Sequence, residues 1–225
     1  MRLVRLLPLC ALLWVCCACS PWLNHPDSYT VKSGDTLYSI AMRFEVDYHE
    51  LARINRLDSD YRIRPGQVLR LNGETEPSRP ALSGGKSVAA AASKAPQVIP
   101  NANFQWQWPC KSITYVETRQ PNGSVGLSIQ GKVGQDVYSS AGGKVVYAGS
   151  GLLGYGKLVI VKHDEVYLSA YGHLQAIQVK EGTLMSAGQK IGTMGTNSIG
   201  SPSLYFEIRT NGVTLMPTRL LPRLQ

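Results

Sequence analysis

A long segment of small and polar residues divides this chain of 225 residues and limits how it can fold. Residues 72–100 are rich in Ser, Ala, Gly and Pro. Such a segment cannot bury enough apolar surface to offset the conformational entropy that it would lose on ordering. We therefore expect a flexible linker at 72–100 between two folding units, residues 28–71 and residues 101–225.

The N-terminal residues 1–18 predict a signal peptide. Two arginines precede an apolar stretch at 6–15, which is too short to span a bilayer. The sequence around Cys19 resembles the acylation site of bacterial lipoproteins, which implies lipid attachment at Cys19 and anchoring in a membrane. Ser20 resembles the sorting pattern for the outer membrane. Acylation at Cys17, an ordinary cleaved signal and a signal anchor stay open as alternatives.

The charge and the cysteines exclude two classes of protein. The net charge is +8, but the chain has no run of five basic residues and no basic region interleaved with aromatic residues, so we expect no nucleic-acid partner. A basic balance suits anionic envelope polymers or an acidic protein. Four of the five cysteines lie in the first 19 residues. Cys110 alone cannot form a disulfide framework, and we expect it to be buried.

The first unit has the pattern of a small α+β domain. Strands are predicted at residues 29–31 and 67–71, with two amphipathic helices between them. Asp35 is predicted to cap the first helix, and Asp47 with Glu50 forms the capping-box pattern of the second. The predicted order is therefore strand, helix, helix, strand.

This unit resembles the LysM family over its full length, through YTVKSGDTL at residues 29–37 and PGQ at residues 65–67. LysM domains bind N-acetylglucosamine polymers such as the glycan strands of peptidoglycan. The resemblance implies a glycan-binding groove at Gly34, Asp35, Thr36, Leu37, Arg62, Ile63, Arg64 and Pro65. The alternative that several of these residues only form turns and caps stays open.

The second unit alternates apolar and polar residues as a mostly-β domain does. A hairpin is predicted around Asp164 and Glu165. The motifs GGKVVYAG at 142–149 and YGHL at 171–174 resemble the LytM or M23 family of zinc peptidases, which cut peptidoglycan cross-links. The resemblance covers residues 104–222 and implies the mostly-β fold of that family, similar to a duplicated hybrid motif.

The residues that carry the chemistry of that family are missing. Active members supply zinc ligands from a His and an Asp four residues later, and a ligand and a base from a His-x-His pair. In this chain Ser124, Ser128 and Tyr205 stand at the ligand positions, and Ser203 stands at the position of the base. Only His173 matches a functional histidine. The resemblance therefore implies a domain with no catalytic residues, no metal and no cofactor.

The remaining histidines do not offer a substitute zinc site. A catalytic zinc needs about three protein ligands. His163 and His173 are predicted roughly 25 Å apart along a strand, and the other two histidines lie outside the domain. A serine hydroxyl is a poor zinc ligand at neutral pH because it must lose a proton. A Ser–His nucleophile lacks an evident acidic partner.

The vacated site is instead predicted to bind a polypeptide, such as a helix laid in a groove. The predicted groove residues are Ser124, Ser128, Tyr155, Tyr171, His173, Ser203 and Tyr205. Core packing of the tyrosines stays open.

The whole architecture resembles the NlpD-like family of bacterial lipoproteins, which activate N-acetylmuramoyl-L-alanine amidases during daughter-cell separation. The resemblance implies a non-catalytic lipoprotein on the periplasmic face of the outer membrane, with peptidoglycan glycan and an amidase as partners. The alternatives are an active zinc endopeptidase of the M23 type, a structural peptidoglycan-binding lipoprotein, and a regulator of another wall enzyme.

Overall fold

The structure, a computed structural model, describes residues 26–73, 104–111, 114–120 and 123–224. It contains a small α+β domain and a mostly-β domain, which confirms the predicted fold class. The signal peptide, Cys19 and nearly all of the predicted linker lie outside these residues. In the part of the chain that is described, no helix is long and apolar enough to cross a membrane.

The N-terminal domain, residues 26–73, has the predicted order of elements. Strand β1 (Ser28–Thr30) leads to helices α1 (Leu37–Arg43) and α2 (Tyr48–Ile54), and β2 (Val68–Arg70) pairs antiparallel with β1. Asn55 ends α2, and its side-chain amide exchanges hydrogen bonds with the backbone of β2. The amide therefore fixes the second helix against the two-stranded sheet.

The cap of α1 differs from the prediction. Thr36, and not Asp35, is the N-cap, because its hydroxyl accepts from the amide of Ser39 and the Ser39 hydroxyl accepts from the amide of Thr36. The carboxylate of Asp35 instead accepts from the amide of Lys32 and the hydroxyl of Tyr29, so it closes the preceding turn.

The cap of α2 agrees with the sequence in part. Asp47 is the N-cap and accepts from the amides of His49 and Glu50, as predicted. The side chain of Glu50 pairs with Arg53. That pairing takes the place of the reciprocal bond that a capping box would have.

The C-terminal domain, residues 104–224, is built on antiparallel strands and one 3-10 turn, η1 (Pro217–Arg219). The strands are β3 (Tyr115–Arg119), β4 (Val125–Gln130), β5 (Asp136–Tyr138), β6 (Gly143–Gly149), β7 (Lys157–Lys162), β8 (Tyr167–Ile177), β9 (Leu184–Met185), β10 (Lys190–Met194), β11 (Ser203–Thr210) and β12 (Val213–Leu215). The main path of the sheet has the order β3-β4-β11-β8-β7-β6-β9, with β12 on β11 and with β10 joining β8 to β5. The predicted hairpin is confirmed by the pairing of β7 with β8.

Both faces of the central strands are buried, but against different partners. Leu127, Val159 and Phe206 face the core of the C-terminal domain, where Cys110 is also buried as expected. The neighbouring residues Leu158 and Tyr205 face the other way and share a buried cluster with the N-terminal domain. This follows from the period of two along a strand.

Candidate functional site

Strand β11 presents four polar side chains on the face that carries the vacated site. They are Ser203, Tyr205, Glu207 and Arg209, and each is at most 2% exposed. Glu207 and Arg209 are charged residues in the middle of a sheet, where an unpaired charge would be strongly unfavourable. We call the site around these side chains and Ser124 the vacated pocket.

Tyr205 fills the centre of the vacated pocket. Its ring centroid lies 5.5 Å from that of Tyr155 and 6.0 Å from that of His173, and it stands opposite Ser128 in the register of β11 and β4. Its hydroxyl donates to Glu207 Oε2 at 2.7 Å. Burial and the Glu207 carboxylate raise the pKa of Tyr205, so the phenol stays protonated at physiological pH.

Arg209 brings a fixed positive charge to the pocket. Its Nε donates to Glu207 Oε1 at 2.6 Å, and its Nη2 donates to Ser124 Oγ at 2.8 Å. Burial by itself lowers the pKa of Arg209, but Glu207 and then Glu45 of the N-terminal domain raise it above the ordinary value. The guanidinium is therefore charged throughout the physiological range.

This set of side chains does not fit a zinc ion. The Tyr205 hydroxyl is a neutral donor to Glu207, and Ser124 accepts a hydrogen bond from a guanidinium. A cation placed there would meet the charge of Arg209, and the carboxylates of Glu207 and Glu45 already accept hydrogen bonds from that guanidinium. Among the residues that the structure describes, no group of three or more His, Cys, Asp or Glu side chains could hold a metal.

The structure places two of the predicted groove residues on opposite faces of the sheet. His173 lies beside Tyr205, but Tyr171 packs on Phe206 with centroids 5.3 Å apart, and is fully buried in the C-terminal core. A φ of 57° at His173 interrupts the alternation of β8. Tyr171 therefore does not line the vacated pocket, contrary to its place in the predicted groove.

The other predicted groove residues surround Tyr205 to different depths. Tyr155 is 3% exposed and its hydroxyl lies 3.4 Å from Glu207 Oε2. Ser203 is buried at the start of β11, and Ser128 is partly exposed. The burial of His173 lowers its pKa, so its imidazole is neutral at physiological pH.

His163 has a structural role away from the pocket. Its Nδ1 lies 2.7 Å from Gly142 O, and its Nε2 lies 2.8 Å from Ser169 Oγ. The carbonyl can only accept, so Nδ1 carries the proton and Nε2 accepts from the serine. Burial lowers the pKa of His163 to about 4, so the ring is neutral at physiological pH.

The predicted glycan-binding residues fall into three groups. Gly34 and Asp35 line a cavity of about 820 Å³ between the two domains, together with the loop from Gly149 to Tyr155. Thr36 caps α1 and Leu37 is buried in the core. The other four predicted residues precede β2. Arg62, Arg64 and Pro65 are exposed, and Ile63 is half-buried.

Three residues of the pocket were not predicted from the sequence. Glu207 and Arg209 continue the alternation of Ser203 and Tyr205 along β11, and that period of two is a signal that could have found them. Glu45 comes from the other domain and has no such signal. Its position depends on how the two domains pack.

Comparison with known families agrees with both domains. The model of peptidase family M23 matches residues 122–217, and the model of the LysM domain matches residues 29–72. Both matches lie where the sequence motifs predict these folds.

Several curated proteins are similar to this chain over most of its length. A lipoprotein NlpD/LppB homolog from Pseudomonas aeruginosa is 37% identical, over 87% of this chain and 77% of that protein. The uncharacterized lipoprotein YgeR of Escherichia coli is 37% identical, over 86% of this chain and 80% of that protein. The murein hydrolase activator NlpD of Escherichia coli is 32% identical, over 87% of this chain and 68% of that protein.

Proposed function

Because this chain, with its LysM and peptidase M23 domains, belongs to the family of the NlpD/LppB lipoproteins, we propose that it is a non-catalytic activator of a peptidoglycan hydrolase. The observation that carries this proposal is the vacated pocket, where Tyr205 and Ser124 stand at positions that would need zinc ligands for catalysis, and where Ser124 accepts from the buried guanidinium of Arg209. A relative named murein hydrolase activator supports it. The hydrolase is an N-acetylmuramoyl-L-alanine amidase of the periplasm.

Activation proceeds by a shift of population in the amidase. The pocket binds an inhibitory segment of the amidase and holds it away from the amidase's own zinc site. Tyr155, Tyr205 and Ser128 provide aromatic and hydroxyl contacts of the kind that suits a polypeptide. A preference of about 5 kcal/mol for the open state would move the amidase from almost fully inhibited to almost fully active.

The LysM domain directs this activity to the cell wall. It binds the glycan strands of peptidoglycan through the turn at Gly34 and Asp35 and through the exposed side chains of Arg62 and Arg64. These side chains and the backbone of the turn suit the hydroxyl and acetamide groups of N-acetyl sugars. The amidase is then activated only where the glycan lies.

A lipid at Cys19 anchors the protein to the periplasmic face of the outer membrane. The names of two similar proteins describe lipoproteins, which supports this part of the proposal. The predicted linker at residues 72–100 joins the LysM domain to the M23 domain. Tethering keeps the activator near its substrate layer and raises its effective concentration there.

The proposal is tested with a soluble chain of residues 20–225 and each amidase of the same organism. Alone, with zinc supplied, the chain should release no peptidoglycan fragments, but it should stimulate at least one amidase. Ser128→Arg should reduce the stimulation at least tenfold because it places a bulky charge in the pocket. The matched variant Val133→Arg, in an exposed turn, should leave it unchanged. Stoichiometric zinc together with cleaved cross-links, or failure with every amidase, would contradict the proposal.

A further inference from the structure

The LysM domain covers the face of the sheet that contains the vacated pocket. Its residues Leu37, Ile40 and Leu51 belong to the same buried cluster as the side chains of that face. Withdrawal of this apolar surface from water favours the contact. The M23 side chains in the cluster are Tyr147, Leu152, Tyr155, Leu158, Ile160, Leu168, Ala170 and Tyr205.

Glu45 reaches into the pocket from the turn between α1 and α2. Its Oε1 accepts from Arg209 Nη2 at 2.8 Å and from Ser124 Oγ at 2.9 Å. The backbone φ of Glu45 is 53°, a left-handed conformation that is uncommon for glutamate. Glu45 directly follows the C-cap Phe44, and the amide of Val46 donates to the carbonyl of Ala41, so this left-handed residue ends helix α1.

Other polar contacts between the domains lie at the loop 149–155 and at the hairpin of β7 and β8, outside the vacated pocket. Arg43 donates to the carbonyl of Gly151 at 3.0 Å, and the Tyr48 hydroxyl donates to the carbonyl of Glu165 at 3.1 Å. His49 Nε2 lies 3.1 Å from Glu165 Oε2. Unlike these bonds, the contacts of Glu45 with Arg209 and Ser124 reach into the vacated pocket.

We propose that the vacated pocket is a carboxylate-binding site, that Glu45 of the LysM domain is its resident ligand, and that an activated partner must displace Glu45 with an acidic side chain of its own. The proposal rests on the function proposed above, in which this pocket receives a segment of the amidase. It adds that the pocket is closed in the structure described here and opens by release of the LysM domain.

The requirement for an acid follows from the geometry of Arg209. Glu207 holds one edge of its guanidinium at 2.6 Å, so the orientation of the fork is fixed. The Nη2 atom then points to the position of the Glu45 carboxylate, and a planar guanidinium recognises a carboxylate better than a neutral group. An occupant without an acid would leave this buried charge less well compensated than Glu45 does.

The first experiment measures whether Glu45 keeps the LysM domain closed over the vacated pocket, without any amidase. Glu45→Arg, made in residues 20–225, places a second guanidinium against Arg209, and Glu45→Gln removes only the charge. In both variants, hydrogen exchange in residues 43–47 and in the loop 149–155 should become at least tenfold faster. Asp58→Arg makes the same charge change as Glu45→Arg on an exposed acid of the same domain and should have no effect. Unchanged exchange in both Glu45 variants would overturn the proposal.

The second experiment tests the ligand class. In Glu45→Ala, propionate should shift the side-chain NMR signal of Arg209 Nε, and propionamide, its neutral analogue, should not. In the unchanged chain the same concentration of propionate should give a much smaller shift, since Glu45 competes. An equal response to both probes, or no response to propionate, would overturn the carboxylate assignment.

The amidase assay then separates the two proposals. If Glu45→Gln opens the interface, half-maximal stimulation should need at least fivefold less of the variant than of the unchanged chain. Equal stimulation by the two would overturn the role of closure. Faster exchange with no stimulation by either chain would leave the closed pocket supported and the amidase function contradicted.

Discussion

At the scale of single residues, parity along the strands decides which side chains can reach the pocket. Tyr205 and Phe206 are neighbours on β11, yet one faces the pocket and the other the core. His173 lies on the pocket face beside Tyr205, and Tyr171 lies on the core face beside Phe206. The strand pattern alone places Tyr171 and His173 on the same face, and the left-handed conformation of His173 separates them.

A single buried imidazole makes the stability of the protein depend on pH. Below about pH 6.5 the unfolded chain binds a proton at His163, but the folded chain binds it only near pH 4. The free energy of unfolding should therefore fall as the pH decreases through this window, by up to about 3 kcal/mol. Urea unfolding at several pH values measures this slope.

The variant His163→Gln provides the control for this prediction. Glutamine cannot gain a proton, so the variant should lose most of the slope between pH 6.5 and 4 while it keeps any contribution from His173, whose pKa burial also lowers. Parallel curves for the two chains would show that His163 is not the source.

At the scale of elements, short caps decide where the helices of the LysM domain begin. Both helices have seven residues, so each is too short to be stable without its ends and its packing. Asp35 and Thr36 are adjacent, and both residue types are good caps, so the sequence did not distinguish them. Asp35 closes the preceding turn through Lys32 and Tyr29, which leaves Thr36 as the cap.

Removal of the Thr36 hydroxyl should destabilise the LysM domain. We expect Thr36→Ala to reduce its free energy of unfolding by about 1 kcal/mol, because the amide of Ser39 loses its acceptor. Thr36→Ser keeps the hydroxyl and should lose much less. Denaturant unfolding followed by hydrogen exchange in residues 37–43 measures both, and equal losses would rule out the cap as the cause.

At the scale of the whole molecule, two domains separated by a polar segment share one buried cluster. The contact is close at Gly212, where an added Cβ would lie 2.6 Å from the Cα of Asp47. A side chain at this position would therefore push the LysM domain away from the sheet.

The variant Gly212→Ala should loosen the domain contact, and Gly182→Ala serves as its matched control. Both glycines have positive φ, 77° and 86°, so both variants carry a strain of about 1–2 kcal/mol. Only Gly212 has an atom of the LysM domain in the way, since nothing lies within 4 Å of a Cβ at Gly182. Hydrogen exchange in the loop 149–155 should quicken in Gly212→Ala alone. The same change in both variants would show an effect of strain and not of contact.

The sequence by itself determined the LysM and M23 folds and the approximate positions of their strands and helices. These features depend on neighbours within a motif or on the period of a strand, so local sequence carries them. Glu207 and Arg209 were also within reach of that reasoning, because they continue the parity of Ser203 and Tyr205.

Only the tertiary structure decided that the vacated pocket is closed. Glu45 and Ser124 are 79 positions apart and lie in different domains. Their contact depends on the orientation of two complete surfaces, which no local periodicity encodes. Because local sequence does not encode this contact, the sequence predicted a groove without a cover. In the folded molecule the LysM domain covers it.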